Sequence, residues 1–405
     1  ELLPNQGDGI RSKIKENIMN RKIHIKKILM AENLVWDSNV KVGSHHYATQ
    51  FIKRNHKVFW LSLPWNIMHL IAIGATYERI IQWNHGMPNR VSENLTTFCP
   101  FTLTPYRNNF WIRNERFAYY SLQFTFPSII RILEKSGFSE VDVLWVTDPR
   151  MIGILKYVKY QMLVYRCVDD FANFSDIPPS VTNLEKDLVK RSDVVFATAP
   201  ALVNRLKRIR SDINYLPNGV DFEHFYNNNR KKSFMDDIPH PRIIYVGTLG
   251  EWFDCQLIRR LALSAKELSF VLIGPVRTDI SMLELLPNIH ILGPKDYKDI
   301  PHYLNCSDIG FIPFKVNALT DAVNPIKLYE YLAAGLPVVA SNIEGIRNAN
   351  APVILAENDN QFLDGFRKAL KKDKSLEKLF QDYARDNSWD SRFNYACSVI
   401  SQKGV

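Results

Sequence analysis

The chain has 405 residues, 46% hydrophobic and 23% charged. That length exceeds one ordinary core, so two domains of about 200 residues each are expected. The formal charge of +9 is modest for the size; it fits an acidic substrate, an anionic membrane surface or nucleic acid, and alone it selects none of them. Five cysteines without a CxxC pair argue against a structural zinc site and for free thiols in a reducing compartment.

Residues 1 to 22 are polar and basic, a tail or an early helix without a signal-peptide core. HIKKILMAEN then reads as a strand, GSHHYATQFIKRN as a helix and HKVFWLSLP as the next strand. From His56 to Glu140 the pattern blurs into an aromatic stretch, read as an irregular insertion with helices. VDVLWVTDP, MLVYRCVDD, SDVVFATAP and INYLPNGVD each end an apolar run in turn or acidic residues, the rhythm of a parallel α/β sheet.

The polar segment 227–241 is the candidate linker. It divides a first domain, 1–226, from a second, 242–385, with 386–405 as a closing helix that crosses back to the first. The second domain repeats the pattern in RIIYVGTLG, LSFVLIGPV, NIHILGPKD, DIGFIPF, PVVAS and APVILAEN. Two Rossmann-like domains imply a cleft between them, with ligands beyond the carboxyl ends of strands. No run approaches the ~20 apolar residues of a membrane span, so a cytoplasmic protein is expected, peripheral on the inner face of the plasma membrane at most.

NPIKLYEYLAAGLPVVAS, residues 324–341, carries the strongest signal. Asn324 suits an N-cap, Pro325 the first helical position and Gly335 a left-handed exit. Lys327 then stands in the first turn, where exposed amides already make the surroundings positive; an anion meeting both would account for it. Lys327 and Glu330 share a helix face, so a diphosphate on the first and a ribose diol on the second is a natural pairing. Gly247, Gly274 and Gly293 each end a strand, where backbone can approach a ligand closely. Neither GxGxxG nor a P-loop follows a strand, and no His, Cys, Asp and Glu set has metal-ligand spacing, so neither metal nor cofactor is expected.

Together with LPNGVD, YVGTL and ILGPKDYKDIPHYLNCSDIGFIPF, the 324–341 motif resembles the second domain of GT-B glycosyltransferases. The likeness is strongest to bacterial polysaccharide enzymes of the glucuronosyl- and teichuronic-acid-transferase type. It implies a nucleotide-sugar donor, most naturally UDP-linked, held by Gly247, Thr248, Gly274, Gly293, Tyr297, Asn324, Ile326, Lys327, Leu328 and Glu330. The acceptor, a glycan or lipid-linked saccharide, would meet Gly43, Ser44 and His45 of the first domain. Asp169, Asp170 and His46 are the candidate bases, with Asp169 preferred because related transferases carry an acid at that strand end; adjacent strand residues face opposite ways, so the two aspartates do not act as a pair. The retaining pattern of two glutamates eight positions apart is incomplete: Glu330 can be the second, but Ala322 stands at the first. GTLGEWFD also lacks the basic residues usual there, and both departures favour inversion over retention.

Three rivals remain: a nucleotide-sugar epimerase on the same fold, a non-catalytic partner of an assembly complex, and a nucleic-acid binder suggested by charge alone. The last ranks lowest, since no RNP-like, zinc-finger or helix-turn-helix pattern is present. The basic runs at 11–27, 53–57 and 205–210 fit an anionic leaflet or solvated helix faces equally.

Overall fold

A computed structural model describes residues 25–38, 41–66, 86–103, 114–174, 177–226, 235–371 and 374–403. The first half contributes strands β1 (Lys27–Glu32), β2 (Lys57–Ser62), β3 (Asn89–Ser92), β4 (Leu95–Phe98), β5 (Phe101–Thr102), β6 (Thr125–Phe126), β7 (Glu140–Val146), β8 (Lys159–Cys167), β9 (Val194–Ala197) and β10 (Ile213–Tyr215). Eight of them form one sheet in the order β10-β9-β8-β7-β1-β2-β4-β3, parallel except at the β3 edge. The winding reverses between β1 and β7, which is where such sheets open a ligand crevice.

The second half builds β11 (Arg242–Val246), β12 (Ser269–Ile273), β13 (Ile289–Gly293), β14 (Ile309–Ile312), β15 (Val338–Ser341) and β16 (Ile354–Ala356). Their order, β13-β12-β11-β14-β15-β16, is wholly parallel and reverses between β11 and β14. Strands covered on both faces need continuous apolar runs, and β8 illustrates it. Leu163 and Tyr165 enter one core, while Val164 enters another with Ile28, Met30, Val143 and Trp145.

Four helices position the site: α1 (Gly43–Lys53), α2 (Phe222–Tyr226), α3 (Ile326–Ala333) and α4 (Trp389–Lys403). Helix α4 returns to the first sheet, where Trp389, Phe393, Ala396 and Ile400 share a core with Tyr47 and Phe51 of α1.

The chain changes cores earlier than the expected boundary at residue 226. Leu216 lies in the first sheet's core, whereas Val220, Phe222 and Phe225 already lie in the second. The short helix α2 turns its two phenylalanines that way, so residues 220–226 pack with the second sheet. Of the expected linker, 227–234 falls outside the described residues, and Met235 and Ile238 also join the second core.

The blurred region holds more sheet than expected. β4 adds to the main sheet beside β2, and β3 pairs with it as an antiparallel edge. Four-residue strands such as LTTF leave too little periodicity to read. Residues 1–24, 67–85 and 104–113 lie outside the described residues, and with them the early tail and much of the aromatic stretch. Among the described residues, no helix is long and apolar enough to cross a membrane.

Candidate active site

Helix α3 starts one residue later than its sequence suggests. Pro325 is the N-cap, at φ −71° and ψ 120°, and Ile326 is the first helical residue. Asn324 does not cap, because its side chain is held elsewhere. Its Oδ1 accepts the Asn218 N–H at 2.8 Å, and its carbonyl accepts Asn218 Nδ2 at 2.7 Å. Its own Nδ2 lies 3.0 Å from the Tyr329 hydroxyl. The amides of Ile326 and Lys327 therefore open the helix without a side-chain cap. Leu328 differs: its N–H bonds to the Pro325 carbonyl at 3.2 Å and its side chain is fully buried. It supplies packing rather than a ligand contact.

The Lys327 ammonium makes no hydrogen bond or ion pair among the described residues. It lies 5.1 Å from the Tyr245 ring centroid and 4.9 Å from that of Phe314, an aromatic cradle that holds a cation without neutralising it. Burial pushes Lys327 down to about 8 and Glu330 up to about 7, each opposed by the other's charge. The facing wall is backbone. Gly247 has φ 147°, and a Cβ there would lie 3.1 Å from Lys327 Nζ. Gly274, at φ 142°, would drive a Cβ to 2.1 Å from the Gly247 carbonyl oxygen. The Gly247 N–H bonds to Ile273 at 2.8 Å and the Gly274 N–H to Gly293 at 3.0 Å, so the three strand ends are laddered together. The half-buried Thr248 follows directly, its carbonyl taking the Tyr245 hydroxyl at 2.8 Å.

Tyr297 stands at the border of the halves. Its ring stacks on His224 at 4.5 Å and lies 6.4 Å from His46, while its carbonyl accepts from His224 Nε2 at 3.0 Å. The phenol oxygen is buried without a hydrogen-bond partner among the described residues, and burial raises it far above its ordinary range, with Glu330 and Asp221 adding to the effect.

On the first half, the polar groups gather at the carboxyl ends of β1, β7 and β8. Gly43 opens α1 so close to β8 that a Cβ would lie 2.8 Å from the Arg166 guanidinium. Ser44 is buried near Glu32. His45 is committed to structure: Nδ1 accepts the Val42 N–H at 3.2 Å and Nε2 donates to the Val35 carbonyl at 3.1 Å. Both ring nitrogens are thereby used, which removes His45 as an acceptor contact and fixes it as a helix-start clasp. Burial, with Lys41 nearby, lowers it to about 4.

The three candidate bases differ. His46 stacks on Trp389 at 4.8 Å and burial lowers it to about 3, leaving a weak base. Asp170 accepts from Asn173 Nδ2 at 3.0 Å and lies 3.8 Å from Arg205. The Asp169 carboxylate makes no hydrogen bond among the described residues. Burial raises it to about 6, with Arg166 opposing and Asp148 and Asp170 adding. A base near the working pH transfers protons best, which suits Asp169 better than the weakened His46.

Sequence reasoning passed over Glu32, Arg166 and Asn218. Glu32 is 3% exposed, takes the Thr147 hydroxyl on Oε2 and leaves Oε1 unpartnered among the described residues. Burial pushes it up to about 8, opposed by Thr147 and the nearby Ser44. Arg166 is 1% exposed, lies 5.0 Å over the Tyr47 ring and keeps an unpartnered Nε. Its signal was visible: a lone arginine inside MLVYRCV must be buried with a purpose. Ala322, where a retaining pattern needs glutamate, is buried in the first half's core. Among the described residues, no group of three or more His, Cys, Asp or Glu side chains is placed to hold a metal ion.

Residues 240–372 match the family described as Glycosyl transferases group 1. The chain is 27% identical over 292 residues to TuaH of Bacillus subtilis (strain 168), whose name assigns it to teichuronic acid biosynthesis as a glycosyltransferase; the match covers 66% of this chain and 74% of TuaH. Among solved structures, the catalytic domain of starch synthase IV from Arabidopsis thaliana, bound to ADP and acarbose, superposes with a TM-score of 0.64 at 11% identity, covering 94% of this chain and 99% of that one. Anabaena Alr3699/HepE with UDP and glucose gives 0.61 at 15% identity, covering 93% and 100%. The structural likenesses show a shared fold, the GT-B arrangement of two Rossmann-like domains facing a cleft.

Proposed function

We propose, from the match of residues 240–372 to the family Glycosyl transferases group 1 and the GT-B frame, that the chain transfers a sugar from a UDP-linked donor to a hydroxyl of a cell-surface glycan or lipid-linked saccharide. One observation carries the reading. The side chains of Lys327, beside an uncapped helix start and a glycine wall, and of Asp169, just beyond a strand end of the other half, make no hydrogen bond among the described residues. Both side chains are half-buried, so a pair left open on opposing halves offers hydrogen-bonding groups that ligands can engage.

In the reaction, Asp169 accepts the proton of the acceptor hydroxyl as its oxygen bonds to the anomeric carbon. The bond to the diphosphate oxygen breaks, and its electron pair leaves with the nucleoside diphosphate. Lys327 and the Ile326 and Lys327 amides stabilise that departing charge, while Glu330 takes the ribose diol. A single displacement of this kind inverts the anomeric centre, and stabilisation by these groups requires no metal.

Calorimetric titration of UDP, GDP and ADP with EDTA present tests the donor site, and NMR of the product anomer tests inversion. UDP binding followed by an inverted product supports the reading in full. GDP or ADP alone would keep the site and replace the donor. Binding of none, by folded protein, would leave the non-catalytic partner role standing.

Peripheral contact with an anionic membrane is part of the proposal, supported by the charge of +9 and by the exposure of Leu103 (75%) and Phe124 (52%). The 205–210 run contributes less than its sequence promised, since Arg205 pairs with Glu185 and Arg210 with Asp212. Co-sedimentation with anionic but not neutral vesicles is the expected outcome.

A further inference from the structure

The two places where the chain passes between cores lie side by side. Leu216 and Val220 bracket the outward crossing; Ala384 and Trp389 bracket the return. Val220 N–H bonds to the Asn387 carbonyl at 3.2 Å, and Trp389 N–H to the Val220 carbonyl at 2.9 Å. A Cβ at Gly219 would lie 2.8 Å from the Asn387 oxygen, so only glycine lets the crossings meet this closely.

Asn218 sits in this junction and spends its whole polar complement on three other elements. Its Oδ1 accepts Arg166 Nη2 at 2.7 Å, at the end of β8. Its Nδ2 and N–H both go to Asn324, the last residue before Pro325 and α3. Its carbonyl accepts Arg392 Nε at 3.2 Å, on α4. Arg166 stands three residues before Asp169 and Asn324 three before Lys327.

We infer that Asn218 is a positioning residue, linking through Arg166 and Asn324 the strand that leads into the base's turn to the helix that carries the donor's phosphates. The inference rests on the transferase reading of this cleft. Reacting groups on separate domains must be registered to a fraction of an ångström, and a junction residue bonded to both carriers sets that register as the domains close on substrate. Arg166 has a second effect from the same place. It is the cation facing Asp169, opposed by Asp148 and Asp170, and so keeps the base ionised.

The test compares wild type, Asn218→Ala, Arg166→Lys and the double variant. Hydrogen exchange is read at 166–170 and 324–328, with UDP binding, kcat and donor KM measured alongside. Asn218→Ala is expected to speed exchange in both segments while β12 and β15 stay protected. It should lower kcat by about 10- to 100-fold with UDP affinity within about threefold, since Lys327 and Glu330 remain in place. The double variant should be no worse than Asn218→Ala alone, because the path is already cut. Additive losses, or exchange confined to 217–219, would overturn the inference.

Arg166→Gln should also move the acid limb of kcat/KM upward, whereas Arg166→Lys leaves it in place. An arginine that only fills space would lower the melting temperature without moving the limb. Should wild type bind no nucleotide, the transferase reading fails, yet the exchange coupling between 166–170 and 324–328 still decides the linkage, because it needs no substrate.

Discussion

The two walls of the cleft are built by different means. The wall proposed for the donor is local: Ile326, Lys327 and Glu330 lie within five consecutive residues, and one short helix sets their spacing. The acceptor wall is assembled from the ends of β1, β7 and β8 and the start of α1, so its four elements meet only in the folded sheet. Glu32, Thr147, Arg166 and Ser44 span more than a hundred residues of sequence. A local site can be written in one motif, whereas a dispersed one depends on register across parallel strands.

The largest expected effect breaks this comparison on the acceptor side. Asp169→Asn removes the base while leaving shape and donor contacts, so kcat should fall by about 10²- to 10⁴-fold with UDP affinity unchanged. The wild-type rate should itself decline below about pH 6, because burial raises the carboxyl to about 6 and its protonation removes the base. A rate flat from pH 5 to 8 would assign the base elsewhere.

The next effect is on stability, again from the acceptor wall. Glu32 is raised by burial to about 8 in the fold, against about 4.3 in an unfolded chain. A raised acid contributes stability fully below the unfolded value and loses it as pH climbs through the folded one. Glu32→Gln, neutral at every pH, should match wild type near pH 4 and exceed it by roughly 2–4 kcal/mol near pH 8. Denaturant midpoints across that window measure the difference, and parallel curves would mean Glu32 is ionised in the fold.

On the donor wall, Lys327→Ala should weaken UDP binding by roughly 1.5–3 kcal/mol, the value of a charge-assisted contact. Lys327 is lowered to about 8 by burial. A bound diphosphate restores its proton, so affinity should fall as pH rises through 8 and binding should take up a proton there. Calorimetry in buffers of different ionisation enthalpy reads that uptake directly.

Much of this was legible in the sequence, and unevenly. Strand-end glycines and the 324–341 motif foretold the strand ends and the helix start that place Gly247 beside Lys327, since helix starts and exits have local chemical signatures. The Asn324 cap failed because a tertiary partner, Asn218, outcompeted the helix for its side chain. His45 looked like an acceptor contact because sequence cannot show that Val35 and Val42 already occupy both ring nitrogens. The first half's edge strands and the early change of core at residue 220 escaped for a related reason. Short strands and one-turn helices carry too little periodicity, and which core they join is settled by packing.

The smallest effect separates the adjacent aspartates. Asp170 accepts from Asn173 Nδ2 at 3.0 Å, a bond an asparagine oxygen can keep, and its distance to Arg205 is 3.8 Å. Arg205 retains Glu185 as its close partner. Asp170→Asn therefore removes only a long ion pair, and should cost about 1 kcal/mol or less in stability and little in kcat. The comparison with Asp169→Asn is sharp because the two carboxylates differ in their partners: Asp170 is held by Asn173 and faces Arg205, whereas the Asp169 carboxylate makes no hydrogen bond among the described residues. If Asp170→Asn were the variant that silenced the enzyme, the carboxylate held by Asn173 and Arg205 would be the one facing the acceptor, and the unpartnered Asp169 would need another explanation.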